Sequence, residues 1–530
     1  MEVQIRMARL KKELRDYDRF IIYGAGSLAK ILNAKLQENN LHADYCVISG
    51  NPNDDSTFGE LPLFSFYDCI ADLRKENTVV LIAVTKLYEK EIEGILIKNN
   101  VKNYIFAASF VDSITADKYF CITEQECLDE LSEWYVEKNG MEFEDIDRIR
   151  RRLVCEKNKE PDDDKILFVV NNPSPRVVKI TKALVKKNYQ IEILFFMAAS
   201  FRSSYCDELS EMCKDYHHCE RIEELMYYAI LSNAGVMHVF SNIEYSYVAK
   251  ILIGIKGLFP RIVFEQYDIS NKMYVEDKWS APKNFEYERY CMEYADGVCF
   301  RGFEQDYLVE NESFRISGKK IKFFDYCQDD VIAKNNGRRD SLRLCYAGGI
   351  ATERQWAGAS FACFLEFAKL CEANKCSFHL YPARWNDEFL EDYFKLDRDS
   401  DYFHLHRPIP YEKLKYELAQ YDYGVHPVRK DYREKEVNGY YTKQKFIYAA
   451  TNHYYDYLDA GIPIIAAFPE KFIEYFEAKR VLINWTIEEY DFDYLRKVKG
   501  IMRENVKKIQ DELKISNNID RLINFYQSIE

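Results

Sequence analysis

NHYYDYLDAGIPIIA, residues 452–466, decides how the last third of this chain folds. Asn452 and Asp456 stand four apart, so they share one face of a helix that also carries tyrosines. Gly461 follows the last helical position and Pro463 lies just beyond it, an ordinary pair of stop signals. The run 462–465 then reads as a short buried strand. A helix start is a natural seat for a diphosphate, because its free N–H groups and dipole favour anions.

Strand and helix patterns alternate on both sides of this stretch, which implies parallel sheets. Upstream, LRLCYAGG (342–349) is a strand ending in glycines. A helix near 361–373, strands at 377–381 and 423–428, and a helix at 411–419 follow. A second alternating region begins with KILFVV (165–170). It continues through a helix from Pro175, strands at 190–196, 236–240 and 261–264, and a strand at 297–300. A third, nearest the N-terminus, has strands at 19–23, 45–49, 78–84 and near 104–107. The expected division is a Rossmann-like accessory domain at 1–116 and a helical linker at 117–164. Two Rossmann-like domains follow at 165–335 and 336–500, then C-terminal helices at 501–530.

The 530 residues suit about three domains at roughly 150 residues each. With 73 basic and 87 acidic side chains the net charge is −14, which argues against a nucleic-acid binder. The 15 cysteines are odd in number and scattered, so they read as reduced thiols in a cytoplasmic protein. No apolar run approaches the ~20 residues that cross a bilayer, and no signal peptide is expected.

The polar helix start, Ala-Gly-x-Pro and buried strand resemble the donor-binding element of GT-B-fold glycosyltransferases of the family-4 type, which build bacterial surface polysaccharides. The resemblance implies an α/β fold of two facing Rossmann-like domains, here preceded by a small additional one. It also implies transfer of a sugar, with retention, from a nucleotide-diphosphate donor to a glycan or lipid-linked acceptor. No cofactor or metal is expected. Asp456 matches the family's acidic donor contact, while His453 replaces its lysine and Tyr448 stands at its upstream glutamate.

Further donor contacts are expected from strand ends, where open α/β sheets bind ligands. Gly348 and Gly349 permit close approach of backbone to phosphate. Arg354, Arg384 and Lys445 are candidate cations for the diphosphate, with His426 and Asn452 beside them. On the acceptor side, Ser174 and Pro175 read as the cap and first turn of a helix. That helix bears Arg176, Lys179, Lys182, Lys186 and Lys187, a basic face suited to an acceptor or to peripheral contact with the inner membrane surface. Asp268 and Glu265, in the sequence FEQYDIS, are the candidate catalytic acids.

YGAGSLA (23–29) is a dinucleotide-type turn, with Gly24 and Gly26 as candidate nucleotide contacts. The acid expected on a ribose about 20 residues later is missing, so NAD is disfavoured. Cys213, His217, His218 and Cys219 have zinc-binding side chains at irregular spacing, and no metal is expected there. Three other readings remain open from the residues alone. They are a nucleotide-sugar epimerase of GT-B-like fold, a NAD-dependent enzyme centred on the first domain, and a non-catalytic scaffold of a glycan-assembly complex.

Overall fold

A computed structural model describes residues 14–15, 17–38, 40–50, 52, 57–58, 60–84, 86–107, 119–120, 122–171, 173–196, 204–242, 245–275, 282–311, 314–330, 341–350, 363–383, 385, 390–426, 441–485 and 491–529. Its strands form three sheets.

The first sheet contains β1 (Arg19–Tyr23), β2 (Tyr45–Ile48), β3 (Thr57–Phe58), β4 (Leu61–Ser65), β5 (Thr78–Ile82) and β6 (Tyr104–Phe106), in the order 3-4-2-1-5-6. All its pairings are parallel except β3 with β4. The second sheet contains β7 (Asp162–Val170), β8 (Gln190–Phe196), β9 (Asp215–Cys219), β10 (Ala234–Ser241), β11 (Arg261–Gln266), β12 (Gly297–Phe300) and β13 (Lys319–Lys322). Its order is 13-12-11-10-7-8-9 and every pairing is parallel. The third contains β14 (Arg343–Gly348), β15 (Ser377–Pro382), β16 (Phe403–Leu405), β17 (Tyr423–Val425), β18 (Ile464–Ala466) and β19 (Leu482–Asn484), also all parallel, in the order 16-15-14-17-18-19. The central strands are buried on both faces, as parallel sheets covered by helices require. Two Rossmann-like domains face each other and a smaller one precedes them, the GT-B-type arrangement expected from the sequence.

The helix Asn452–Asp459 ends as its sequence requires. Gly461 sits at φ +72°, its N–H reaches the carbonyl of Leu458, and the N–H of Ile462 reaches that of Tyr457. Three tyrosines seat this helix on the third sheet. Tyr457 donates to the carbonyl of Val425 at 2.7 Å, and its ring lies so close over Gly424 that any Cβ there would collide with it. Tyr454 donates to the carbonyl of Phe468 at 2.6 Å, and Tyr455 packs on Phe476.

Two expected boundaries shift. The stretch read as a linker supplies helices Glu124–Lys138 and Ile146–Lys157, which join the core of the second domain. Tyr119 donates to Glu223 at 2.9 Å, and Asp162–Asp164, placed by the sequence at the end of the linker, open β7. The last helix, Ile515–Ser528, returns from the third domain to pack on the second sheet, where Tyr526 bonds His238 at 2.7 Å. No helix among the described residues is long and apolar enough to cross a membrane.

Candidate functional site

A cleft of about 710 Å³ opens between the second and third sheets at the carboxyl ends of their strands. Pro173, Pro175, Tyr205 and Tyr267 contribute one wall. Gly348, Gly349, His426, Asn452, His453 and Asp456 contribute the other. In the third sheet the strand order reverses between β14 and β17, so the ends of those strands flank the crevice where such sheets bind ligands. Gly348 ends β14 and His426 follows β17.

Gly348 is required by what faces it. A Cβ at that position would lie 2.4 Å from Cε1 of His453. Burial holds His453 neutral, pushed down to about 4, despite a backbone contact at Ala347 that favours its charged form. His426 is likewise pushed well below the usual histidine range by burial and by His453, whose ring centroid is 5.5 Å away. Two neutral imidazoles therefore line this end of the cleft. Asp456 stands one turn further along the helix. Its carboxyl is pushed up to about 6 by burial, opposed by the Lys179 charge and by the Tyr411 hydroxyl that donates to it at 3.2 Å.

Asn452 opens the helix and accepts a 2.6 Å hydrogen bond from Arg301 of the second domain. Arg301 is fully buried, paired with Asp325 at 2.9 Å, and donates to the carbonyl of Tyr267 at 3.1 Å. A second tie runs from Lys445 to Asp268, at 2.5 Å. Tyr274 also donates to Asp268 at 2.6 Å, and Thr442 N–H reaches the carbonyl of Met273. Residues 441–449 of the third domain are thus docked on the second. Tyr448 belongs to this docking: it packs on Tyr307 and does not line the cleft.

Several site expectations need correction. Glu265 and Arg176 do not face a ligand freely. They form a buried bidentate pair with contacts of 2.8 and 2.7 Å, and Arg176 also bonds Asp325 at 3.0 Å. The guanidinium pulls the Glu265 carboxyl down against its burial. Ser174 and Arg176 line only a very small pocket behind the cleft, with Tyr267 and Arg301. Asp268 is buried beneath Lys445 and does not line the cleft, although its Oδ1 has no hydrogen-bond partner. The basic helix face is a set of internal pairs: Lys179 with the carbonyl of Tyr326, Lys182 with Glu208, Lys186 with Asp329, and Lys187 with Asp520. Arg354 and Arg384 lie outside the described residues.

Gly24 follows β1 at φ +125°, where a Cβ would meet the carbonyl oxygen of Ala83 at 2.8 Å. Its glycine is explained by packing against the next strand. Gly26 is open to space, and Tyr23 bonds Ser49 at 2.7 Å where a ribose-binding acid would stand. Around the zinc-like residues, His217 stacks on Tyr228 and His218 on Phe195, as alternation along β9 requires. His238, Glu265 and Cys299 bring ligand atoms within 4.8 Å of one another, but the Arg176 guanidinium already supplies the positive charge there.

Sequence reading overlooked Arg301, Tyr205 and Tyr411. Arg301 had one available signal, its place directly after the strand GVCF.

No family model matches the chain, and comparison with curated proteins finds no match in sequence. Similar solved structures include a sucrose-phosphate synthase from Thermosynechococcus elongatus, with TM-score 0.48, 11% identity, and coverage of 68% of this chain and 98% of that one. A glycosyltransferase from Rickettsia africae gives 0.48 and 11%, covering 69% and 99%. A UDP-GlcNAc 2-epimerase from Neisseria meningitidis gives 0.40 and 11%, covering 68% and 99%. At such scores a likeness says nothing of activity.

Proposed function

We propose that this protein is a glycosyltransferase that moves a sugar from a nucleotide-diphosphate donor to a glycan or lipid-linked acceptor. The single observation that carries this reading is the composition of the cleft's third-domain wall. The N-terminus of the Asn452–Asp459 helix, the backbone at Gly348 and Gly349, and the Asp456 carboxylate all line one crevice at a reversal of strand order. A diphosphate is satisfied by the first, a close-lying nucleotide by the second, and hydroxyl groups of a ribose or sugar by the third.

In this mechanism the helix start and the glycine backbone bind the diphosphate and stabilise it as it leaves. His453 and His426, both neutral, fill the cleft end without adding charge. Asp456 orients the donor through its hydroxyls. Lys445 lines the cleft and is proposed as a diphosphate contact, held in place by Asp268. Arg354 and Arg384 are proposed as further diphosphate contacts. Retention, independence of metal, and a role in bacterial surface-polysaccharide synthesis at the cytoplasmic face complete the proposal, on the resemblance of the helix motif.

The test is incubation with UDP-, GDP- and TDP-sugars, followed by binding, hydrolysis and transfer measurements. Product analysis without acceptor separates transfer from epimerisation, since an epimerase converts the donor alone. Failure of every nucleotide sugar to bind would reject the reading.

A further inference from the structure

We infer that Tyr267 is the floor of a pyranose-binding subsite in the cleft. The inference rests on the nucleotide-sugar reading above and names the ring that the second-domain wall receives. Tyr267 follows β11 and is 37% exposed, whereas Tyr411 across the cleft is 8% exposed. The Tyr267 ring lines the cleft and is fixed there from one side. The holder is Arg301, whose guanidinium carbon lies 3.9 Å from the ring centroid. Arg301 is fixed in turn by Asp325, by Asn452 and by the carbonyl of Tyr267 itself. One ring face is therefore covered by a buried cation, and the remaining surface opens to the cleft. The ring is oriented before any ligand arrives, which lowers the entropy lost on binding.

The neighbouring groups identify the ligand class. Tyr205 lines the same wall, its ring edge-on to Tyr411 at 5.4 Å, and lies within electrostatic reach of both Tyr267 and Asp456. Asp456 faces them from the opposite wall and accepts hydrogen bonds. A pyranose has an apolar C–H face and a fringe of hydroxyl donors, so it matches a flat aromatic floor ringed by phenols and a carboxylate. A nucleobase also stacks, but the reading above seats the nucleotide on the third-domain wall, beside the diphosphate. The sugar belongs either to the donor or to the acceptor.

Calorimetric titration of the full chain tests this. The probes are UDP, GDP and TDP, their glucose or mannose conjugates, methyl β-glucoside and cellobiose. Wild type is compared with Tyr267→Leu and Tyr267→Trp. At least one sugar-bearing probe is expected to bind wild type. Tyr267→Leu should weaken it about tenfold while changing the bare nucleotide less than twofold, and Tyr267→Trp should retain it with a change in fluorescence. An increment on a nucleotide sugar assigns the subsite to the donor, and binding of a free glycoside assigns it to the acceptor. Sugar binding unchanged in Tyr267→Leu overturns the inference. So do equal affinities for bare nucleotides and their sugars with no glycoside bound, a result that leaves the nucleotide reading intact. Glycoside binding that depends on Tyr267, with no nucleotide bound, overturns the nucleotide reading and sustains this one. Binding of no probe overturns both.

Discussion

The ammonium of Lys445 lies 2.5 Å from Oδ2 of Asp268, linking the start of the helix Lys443–Tyr448 to the turn after β11 across the two facing domains. Both groups are largely buried, with side-chain exposures of 17% and 5%. Removing one partner strands the other charge in a poorly solvated place, which costs about 3 kcal/mol. Lys445→Met and Asp268→Asn should each lower stability by that order in urea unfolding. The double variant should recover part of the loss. Additive losses would show that the pair is not coupled.

A second prediction concerns Gly348. Alanine there would place a methyl group against His453 and the hydroxyl of Tyr346. Overpacking of this kind costs roughly 1–3 kcal/mol. Gly348→Ala should lower the melting temperature and weaken nucleotide binding. Adding His453→Ala should recover part of the loss, because it removes the nearer of the two clashing groups. A destabilisation that persists in the double variant would locate the strain elsewhere.

The parts of this fold that were legible share a local cause. Gly461 and Pro463 end a helix by backbone geometry alone, and the runs around β1, β7 and β14 are apolar enough to declare buried strands. β13, with sequence KKIK, and the three-residue β19 carry no such pattern, so nothing local marked them. The same holds for the site. Asp456 and Gly348 were readable because helix spacing and strand ends are sequence properties. The pairing of Arg176 with Glu265 joins residues 89 positions apart, and it converts two expected ligand contacts into a structural ion pair. Tyr119 and Cys127 read as linker because their partners, Glu223 and Met226, stand about a hundred residues later on the helix Ile222–Ser232.

Asp456 should also give stability a pH dependence. Its folded value, about 6, stands above the ordinary 3.8 because burial disfavours the charged form. The sign follows: its contribution to stability is full below about 4 and is lost as pH rises through about 6. Asp456→Asn removes that loss. The variant should be more stable than wild type at pH 8 by on the order of 1–2 kcal/mol, with the gain vanishing near pH 4. Urea unfolding at several pH values measures this, and a pH-independent difference would contradict it.

Arg301 should act as a staple between the domains. Arg301→Met takes from the buried Asp325 one of its two ion-pair partners, leaving Arg176, and frees Asn452 from its partner. Stability should fall by roughly 3–5 kcal/mol. Arg301→Lys keeps the charge but not the forked geometry, so it should recover only part of the loss. Thermal unfolding of both variants decides this, and full recovery by lysine would show that charge alone matters.

The central claim is that the cleft holds a nucleotide sugar on the helix that begins at Asn452. Calorimetry with UDP-, GDP- and TDP-sugars on wild type and Asp456→Ala tests it most directly. At least one donor should bind wild type, and Asp456→Ala should weaken that donor about tenfold or more while remaining folded. Binding of none of the donors by a folded wild-type protein, or equal binding by the variant, would contradict the claim.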